Sequence, residues 1–339
     1  MTTMSKPNLL VSADWSTNEK KRWMVRAELR DSHYVIYPPE PVGDVKTLIA
    51  RLLANVDENA TVLVGFDFPI GLPHSYAKKA EISSFREALK KCGSEDWRRF
   101  YEISDNPSLK QPFAPLPKRK GEKGFNRNRI ADALGFKDYK SLLRRCDHKT
   151  SQRNEAEIVF FTLGGKQVGA GACLGWRDVI APNPTIKLWP FDGNLEDLLS
   201  KPGLTVCETY PGEAYHHIGI RIGSGTGKSK TKREDRQEFC KTILRNANKS
   251  CIFTNAAVSW IEYGFLEEDD FDAMVALLSM IQVVTGVRKT GVPQDEIQSR
   301  IEGWILGLQS DSSNASWSTT DPPKADHAAE DSDKNEIES

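Results

Sequence analysis

The sequence predicts an α/β fold, and three observations predict it. Strand-like segments open the chain at 8–14, 22–29 and 33–37. Short apolar runs end in the carboxylates Asp14, Asp67 and Glu208, and amphipathic helical segments fill the C-terminal third. The first segment, N-L-L-V-S-A-D, is a buried strand closed by an acid, and 22–29 and 33–37 alternate like a second and third strand. The P-P-E-P run at 38–41 breaks the pattern. Asp44 then suits the N-cap of a helix that places Val45, Leu48, Ile49, Leu52 and Leu53 on one face. The fourth strand, T-V-L-V-G-F-D at 61–67, is almost continuously apolar and is therefore predicted to be central.

Residues 74–203 interrupt this order. They read as a large, mostly α insertion between the fourth and fifth strands, with helices around 84–101 and 130–145 and a basic Pro/Lys/Arg loop at 110–129. An apolar segment at 158–163, a glycine-rich turn and 168–174 follow. The fifth strand, L-T-V-C-E at 204–208, resumes the pattern. Helices are predicted at 232–248, at 253–262, and from Asp269 onward, where Met274, Leu277, Leu278 and Ile281 form an apolar face. The predicted organisation is a single domain over 1–308 and an acidic tail over 309–339, expected to be disordered because it is rich in Ser, Asp, Asn and Pro and poor in apolar residues.

The formal charge of −1 hides a strong asymmetry. The tail carries eight acidic residues against two lysines, which leaves residues 1–308 with a net charge of +5. Between Lys78 and Arg153 stand twenty basic and ten acidic residues, and between Arg221 and Arg236 six and two. Two basic runs flanking acidic motifs point to a polyanionic partner. The six cysteines form no C-x-x-C pair and show no zinc-ligand spacing with histidine, which suits a reducing compartment. No cationic start leads into a long apolar run, and the apolar stretch at 271–284 is too short to span a bilayer. A soluble, cytoplasmic protein without membrane association is expected.

Acids at the ends of apolar strands are the candidate chemistry. Asp14 and Asp67 close buried strands, where an ionised carboxylate needs a partner, and Asp269 and Asp272 stand one helical turn apart. Asp270 points away from them and suits a first-turn helix acid. Carboxylates gathered at one sheet edge suit a divalent cation, Mg²⁺ or Mn²⁺, and two such ions about 3.5–4 Å apart can activate water and stabilise the leaving oxygen of a phosphodiester. Asp14, Asp67, Glu208, Asp269 and Asp272 are therefore the expected metal ligands and catalytic acids. Lys228, Lys230, Lys232, Arg233 and Arg236 are expected to meet a nucleic-acid backbone. The segment 222–229, I-G-S-G-T-G-K-S, departs from a phosphate-binding nucleotide loop because Ile222 stands where that motif needs glycine. His216 and His217 have no partner spacing for a metal and are expected at the surface or in packing, while Trp97, Trp176, Trp189 and Trp304 are expected in the core. Arg144, Arg145 and Lys149 around Asp147 fit either a phosphate contact or a solvated helix end.

These residues carry a resemblance. The order of strands and acids resembles the ribonuclease H-like fold, and D-D-F-D-A at 269–273 resembles a helix start of Holliday-junction resolvases. More closely, A-D-W-S (13–16), G-F-D-F-P-I-G-L-P (65–73), G-K-Q-V-G (165–169), L-W-P-F-D-G (188–193), C-E-T-Y-P-G-E-A-Y (207–215), D-D-F-D-A and E-G-W-I-L-G (302–307) resemble the domain of unknown function 429 family, described as predicted nucleases. The resemblance implies a mixed five-stranded ribonuclease H-like sheet flanked by helices, with Asp14 as first-strand ligand, Asp67 as fourth-strand acid, and Asp269 and Asp272 as the helix pair. It implies a Mg²⁺-dependent nuclease acting on DNA or RNA. A catalytically silent nucleic-acid-binding protein and a phosphotransferase on the same core are the rival expectations.

Overall fold

Strands that are apolar on both faces need a helical layer on each side, and the chain supplies both. A computed structural model describes residues 5–114, 126–162, 168–223, 225–246, 250–293 and 295–310. Its sheet contains β1 (Leu9–Asp14), β2 (Trp23–Arg30), β3 (His33–Ile36), β4 (Glu40–Pro41), β5 (Thr61–Phe66), β6 (Lys187–Leu188), β7 (Gly203–Glu208) and β8 (Cys251–Phe253). The order is β6-β7-β5-β1-β2-β3-β8, with β4 also paired to β2. The first three strands form an antiparallel meander. Strands β5 and β7 run parallel to β1, β6 parallel to β7, and β8 parallel to β3.

The five expected strands are all present, and three short ones extend the sheet. At two or three residues each, β4, β6 and β8 are too short to show an alternating pattern. The P-P-E-P run ends in one of them, at an edge position where a residue without an N–H is tolerated.

The helices are α1 (Leu48–Leu53), α2 (His74–Lys79), α3 (Phe85–Lys91), α4 (Arg127–Ala133), α5 (Val168–Gly175), α6 (Leu195–Leu199), α7 (Pro211–His217), α8 (Arg233–Arg245), α9 (Asn255–Tyr263) and α10 (Glu268–Val284). Period-2 alternation sorts the sheet residues between two cores. Leu9, Val11, Val62, Val64, Phe66, Leu204 and Val206 face the side covered by α1–α5. Leu10, Val25, Ala27, Leu63 and Cys207 face the side covered by α6–α10. The insertion is therefore a layer of the same domain: Phe85, Phe113 and Trp176 pack into the core that holds β1 and β5.

Several elements are shorter than predicted. The helix expected at 84–101 stops at Lys91, because Gly93 and Glu95 take positive φ. The one expected at 130–145 stops at Ala133, before Gly135 at φ 74°. The helix after Asp44 begins at Leu48, since Asp44 accepts from the Lys46 N–H in a preceding turn. Most of the basic loop at 110–129, part of G-K-Q-V-G and nearly all of the acidic tail lie outside the described residues.

Candidate metal centre

Two parallel strands set the first half of the site. On β1, Leu10 and Ser12 share a face with Asp14, and on β5, Leu63 and Gly65 share a face with Asp67; both faces look toward α10. The Asp67 N–H donates to the Ala13 carbonyl at 3.0 Å, so the two acids leave adjacent strand ends side by side. Helix α10 brings the other half. It starts with a capping box in which Asp270 accepts from the N–H groups of Leu266 (2.9 Å) and Glu267 (3.0 Å) and from Trp260 Nε1 (2.8 Å). Asp270 is thus spent on the helix start, as its direction implied, and Asp269 and Asp272 are left on the side facing β1 and β5.

The acids act on one another. Burial first, then the charges of Asp67, Asp272 and Asp269, push the Asp14 carboxyl well above its ordinary value. Asp67 is pushed up to about 7, mainly by burial and then by Asp272, and it shares a hydrogen bond with Asp14. Asp269 is pushed up to about 6, chiefly by burial. Asp272, 2% exposed, accepts from the Tyr215 hydroxyl and from the Lys230 ammonium. The structure therefore brings four of the five expected acids within electrostatic reach of one another, though not with three ligand atoms inside 4.8 Å.

Glu208 goes elsewhere. Leu204 and Val206 place it on the opposite sheet face from Asp14 and Asp67, under the insertion. Both its oxygens are taken there: Arg144 Nη1 donates to Oε2 at 2.6 Å, Arg144 Nη2 to Oε1 at 2.8 Å, and the Ile70 N–H to Oε2 at 2.7 Å. Arg144 is fully buried and also pairs with Asp147. Among the described residues, Cys146, Asp147 and Glu208 place ligand-type atoms within 4.8 Å of one another. That group already has its cation in the Arg144 guanidinium, and burial keeps the Cys146 thiol protonated by pushing its pKa far up. It is a buried ion-pair cluster rather than a metal site.

The basic loop is also partly spent on structure. Arg236, 3% exposed, donates to the carbonyls of Gly264 (2.9 Å) and Lys230 (2.7 Å). Lys228 pairs with Glu238, and Arg233 lies 3.4 Å over the Tyr263 ring and donates to the Tyr263 carbonyl. Lys232 is exposed at the N-cap of α8, and Lys230 points into the acid cluster. Much of the first basic run is neutralised as well: Arg86 by Asp192, Arg127 by Glu155 and Glu157, Arg145 by Asp295, and Arg153 by Glu213. His217 packs, with Nδ1 2.6 Å from Ser279 Oγ and Nε2 3.3 Å from Glu213. Trp97, Trp176, Trp189 and Trp304 are all buried.

Sequence reasoning missed three members of these networks. Arg144 is the counterion that a buried Glu208 demanded, Tyr215 lies in the C-E-T-Y-P-G-E-A-Y motif, and Lys230 was assigned to the substrate side. The chemistry of the donor set fits a hard divalent cation: carboxylates that repel one another, and a buried Asp269 Oδ2 with no hydrogen-bond partner. Comparison of the chain with family models, curated proteins and solved structures returns no match. No helix among the described residues is long and apolar enough to cross a membrane.

Proposed function

We propose that the chain is a divalent-metal-dependent nuclease with a ribonuclease H-like core. The observation that carries this reading is the convergence of Asp14, Asp67, Asp269 and Asp272 at the ends of β1 and β5 and the start of α10, where Asp67, Asp269 and Asp272 all raise the proton affinity of Asp14. The order β3-β2-β1-β5-β7, with β2 antiparallel to its neighbours, supports the ribonuclease H-like assignment, and the sequence motifs that resemble the domain of unknown function 429 family agree with it. Asp14, Asp67, Asp269 and Asp272 would hold Mg²⁺ or Mn²⁺, which when bound supplies an activated water and stabilises charge on a phosphodiester. Asp14 and Asp67 hold the ligand atoms on adjacent rigid strands. The Tyr215 hydroxyl orients the Asp272 carboxylate from behind.

The test is cleavage. Wild type and Asp14→Asn are incubated with single-stranded and structured DNA and RNA, with Mg²⁺, with Mn²⁺ and with EDTA. Metal-dependent cleavage that Asp14→Asn loses supports the reading. Retained binding with no cleavage of any substrate would sink it in favour of a silent nucleic-acid-binding protein, and nucleotide turnover would favour a phosphotransferase.

A further inference from the structure

We propose that Lys230 is the resident cation of the Asp14–Asp67–Asp272 cluster: its ammonium holds the place of a divalent ion, leaves when one binds, and so sets the affinity of the site. This rests on the metal-centre reading above and adds a residue to it.

The placement of Lys230 is built rather than incidental. Its ammonium donates to Asp272 Oδ2, and Glu268 Oε2 lies 3.9 Å away. Its backbone is fixed from behind by the buried guanidinium of Arg236, which donates to the Lys230 carbonyl at 2.7 Å. One residue earlier, the Ser229 N–H donates to Asp235 Oδ2 at 2.8 Å. Two acid–base partners on the first turns of α8 thus anchor the main chain at the mouth of the site.

A charge deficit explains why a lysine belongs there. Without a metal, Asp14, Asp67, Asp269 and Asp272 are all desolvated, and the Lys230 charge acts on every one of them, offsetting part of their repulsion. An ammonium is a compact point charge on a flexible four-carbon stem, so it can withdraw by rotamer changes while its backbone stays fixed. The way out is open: the Lys230 side chain is 39% exposed and the neighbouring Glu268 side chain is 29% exposed. A divalent ion on Asp14 and Asp272 brings more charge and demands oxygen ligands, so it displaces the ammonium toward Glu268.

The experiment measures Mn²⁺ binding by titration calorimetry for wild type and for Lys230→Met, which keeps the stem and removes the charge. Expected is binding roughly tenfold tighter in Lys230→Met, the scale of one competing charge removed. Equal or weaker binding in the variant overturns the proposal. A second readout needs no variant: the rate at which Lys230 is reductively methylated, followed by peptide mass spectrometry, is expected to rise several-fold at saturating Mn²⁺, and a rate that Mn²⁺ leaves unchanged overturns it. If neither protein binds Mn²⁺, the metal centre falls together with the proposal. If exchange is seen but no nucleic acid is cleaved, only the nuclease reading falls.

Discussion

Arg144 meets Glu208 fork to fork, with N–H···O distances of 2.6 and 2.8 Å, and both side chains are buried. The pair joins the insertion to the end of β7, and Arg144 also donates to the Glu302 carbonyl of the C-terminal segment at 3.3 Å. Its geometry is that of a charge-assisted bidentate pair. Arg144 keeps Asp147 as a partner, so removing Glu208 costs the charge-assisted bonds rather than stranding the guanidinium, about 1.5–3 kcal/mol. Glu208→Gln is therefore expected to lower the urea unfolding midpoint strongly while leaving Mn²⁺ affinity near that of wild type. A variant that stays stable but loses metal would return Glu208 to the ligand set.

Asp14→Asn separates site from fold in the opposite way. Burial and the neighbouring acids raise the proton affinity of Asp14, and its carboxyl shares a hydrogen bond with Asp67, a contact that an amide N–H can reproduce. Metal-free stability at pH 7 is expected to change by less than about 1 kcal/mol. The rise in Tm that Mg²⁺ gives the wild type should vanish. Thermal scans with Mg²⁺ and with EDTA check both halves.

Gly65 stands two residues before Asp67 on the same face of β5, directly beneath α10. A Cβ there would lie 2.5 Å from Thr209 Cγ2 and 2.7 Å from Met280 Sδ. Gly65→Ala forces α10 away from the strand, at the 1–3 kcal/mol typical of overpacking, roughly. Because α10 also carries Asp269 and Asp272, weaker Mn²⁺ binding should accompany the lost stability. Calorimetric titration of the variant at a temperature where it remains folded tests the coupling.

The sequence made Asp14 and Asp67 readable because each closes an apolar run, and their adjacency follows once β1 and β5 are neighbours. The direction of Glu208 was not readable. Strand β7 is buried on both faces, with Leu204, Thr205, Val206 and Cys207 all at 4% exposure or less, so no polar alternation marks which side the next residue takes. The destination of Lys230 was hidden for another reason. Its partner Asp272 lies 42 residues away, and nothing in the spacing of Lys228, Lys230, Lys232, Arg233 and Arg236 distinguishes the one that turns inward. The helix lengths in the insertion were overread where left-handed residues such as Gly93 and Gly135 end a turn that polarity alone would continue.

The acid cluster also fixes how metal and pH act together. The folded-state proton affinity of Asp67 lies at about 7 and that of Asp269 at about 6, against an ordinary 3.8. As pH rises from about 4 to 7, the unfolded chain ionises these groups first and the folded chain resists, so their contribution to metal-free stability falls across that window and levels off above it. A divalent ion reverses the balance, because it binds the ionised carboxylates and releases their protons. The increase in Tm given by saturating Mg²⁺ is therefore expected to be small at pH 5.5 and to grow through pH 7 toward a plateau near pH 8. Asp67→Asn should flatten that rise, since it removes the group that titrates in the middle of the window. A Mg²⁺-induced shift in Tm that stays constant from pH 5.5 to 8 would show that the ion does not bind at these acids.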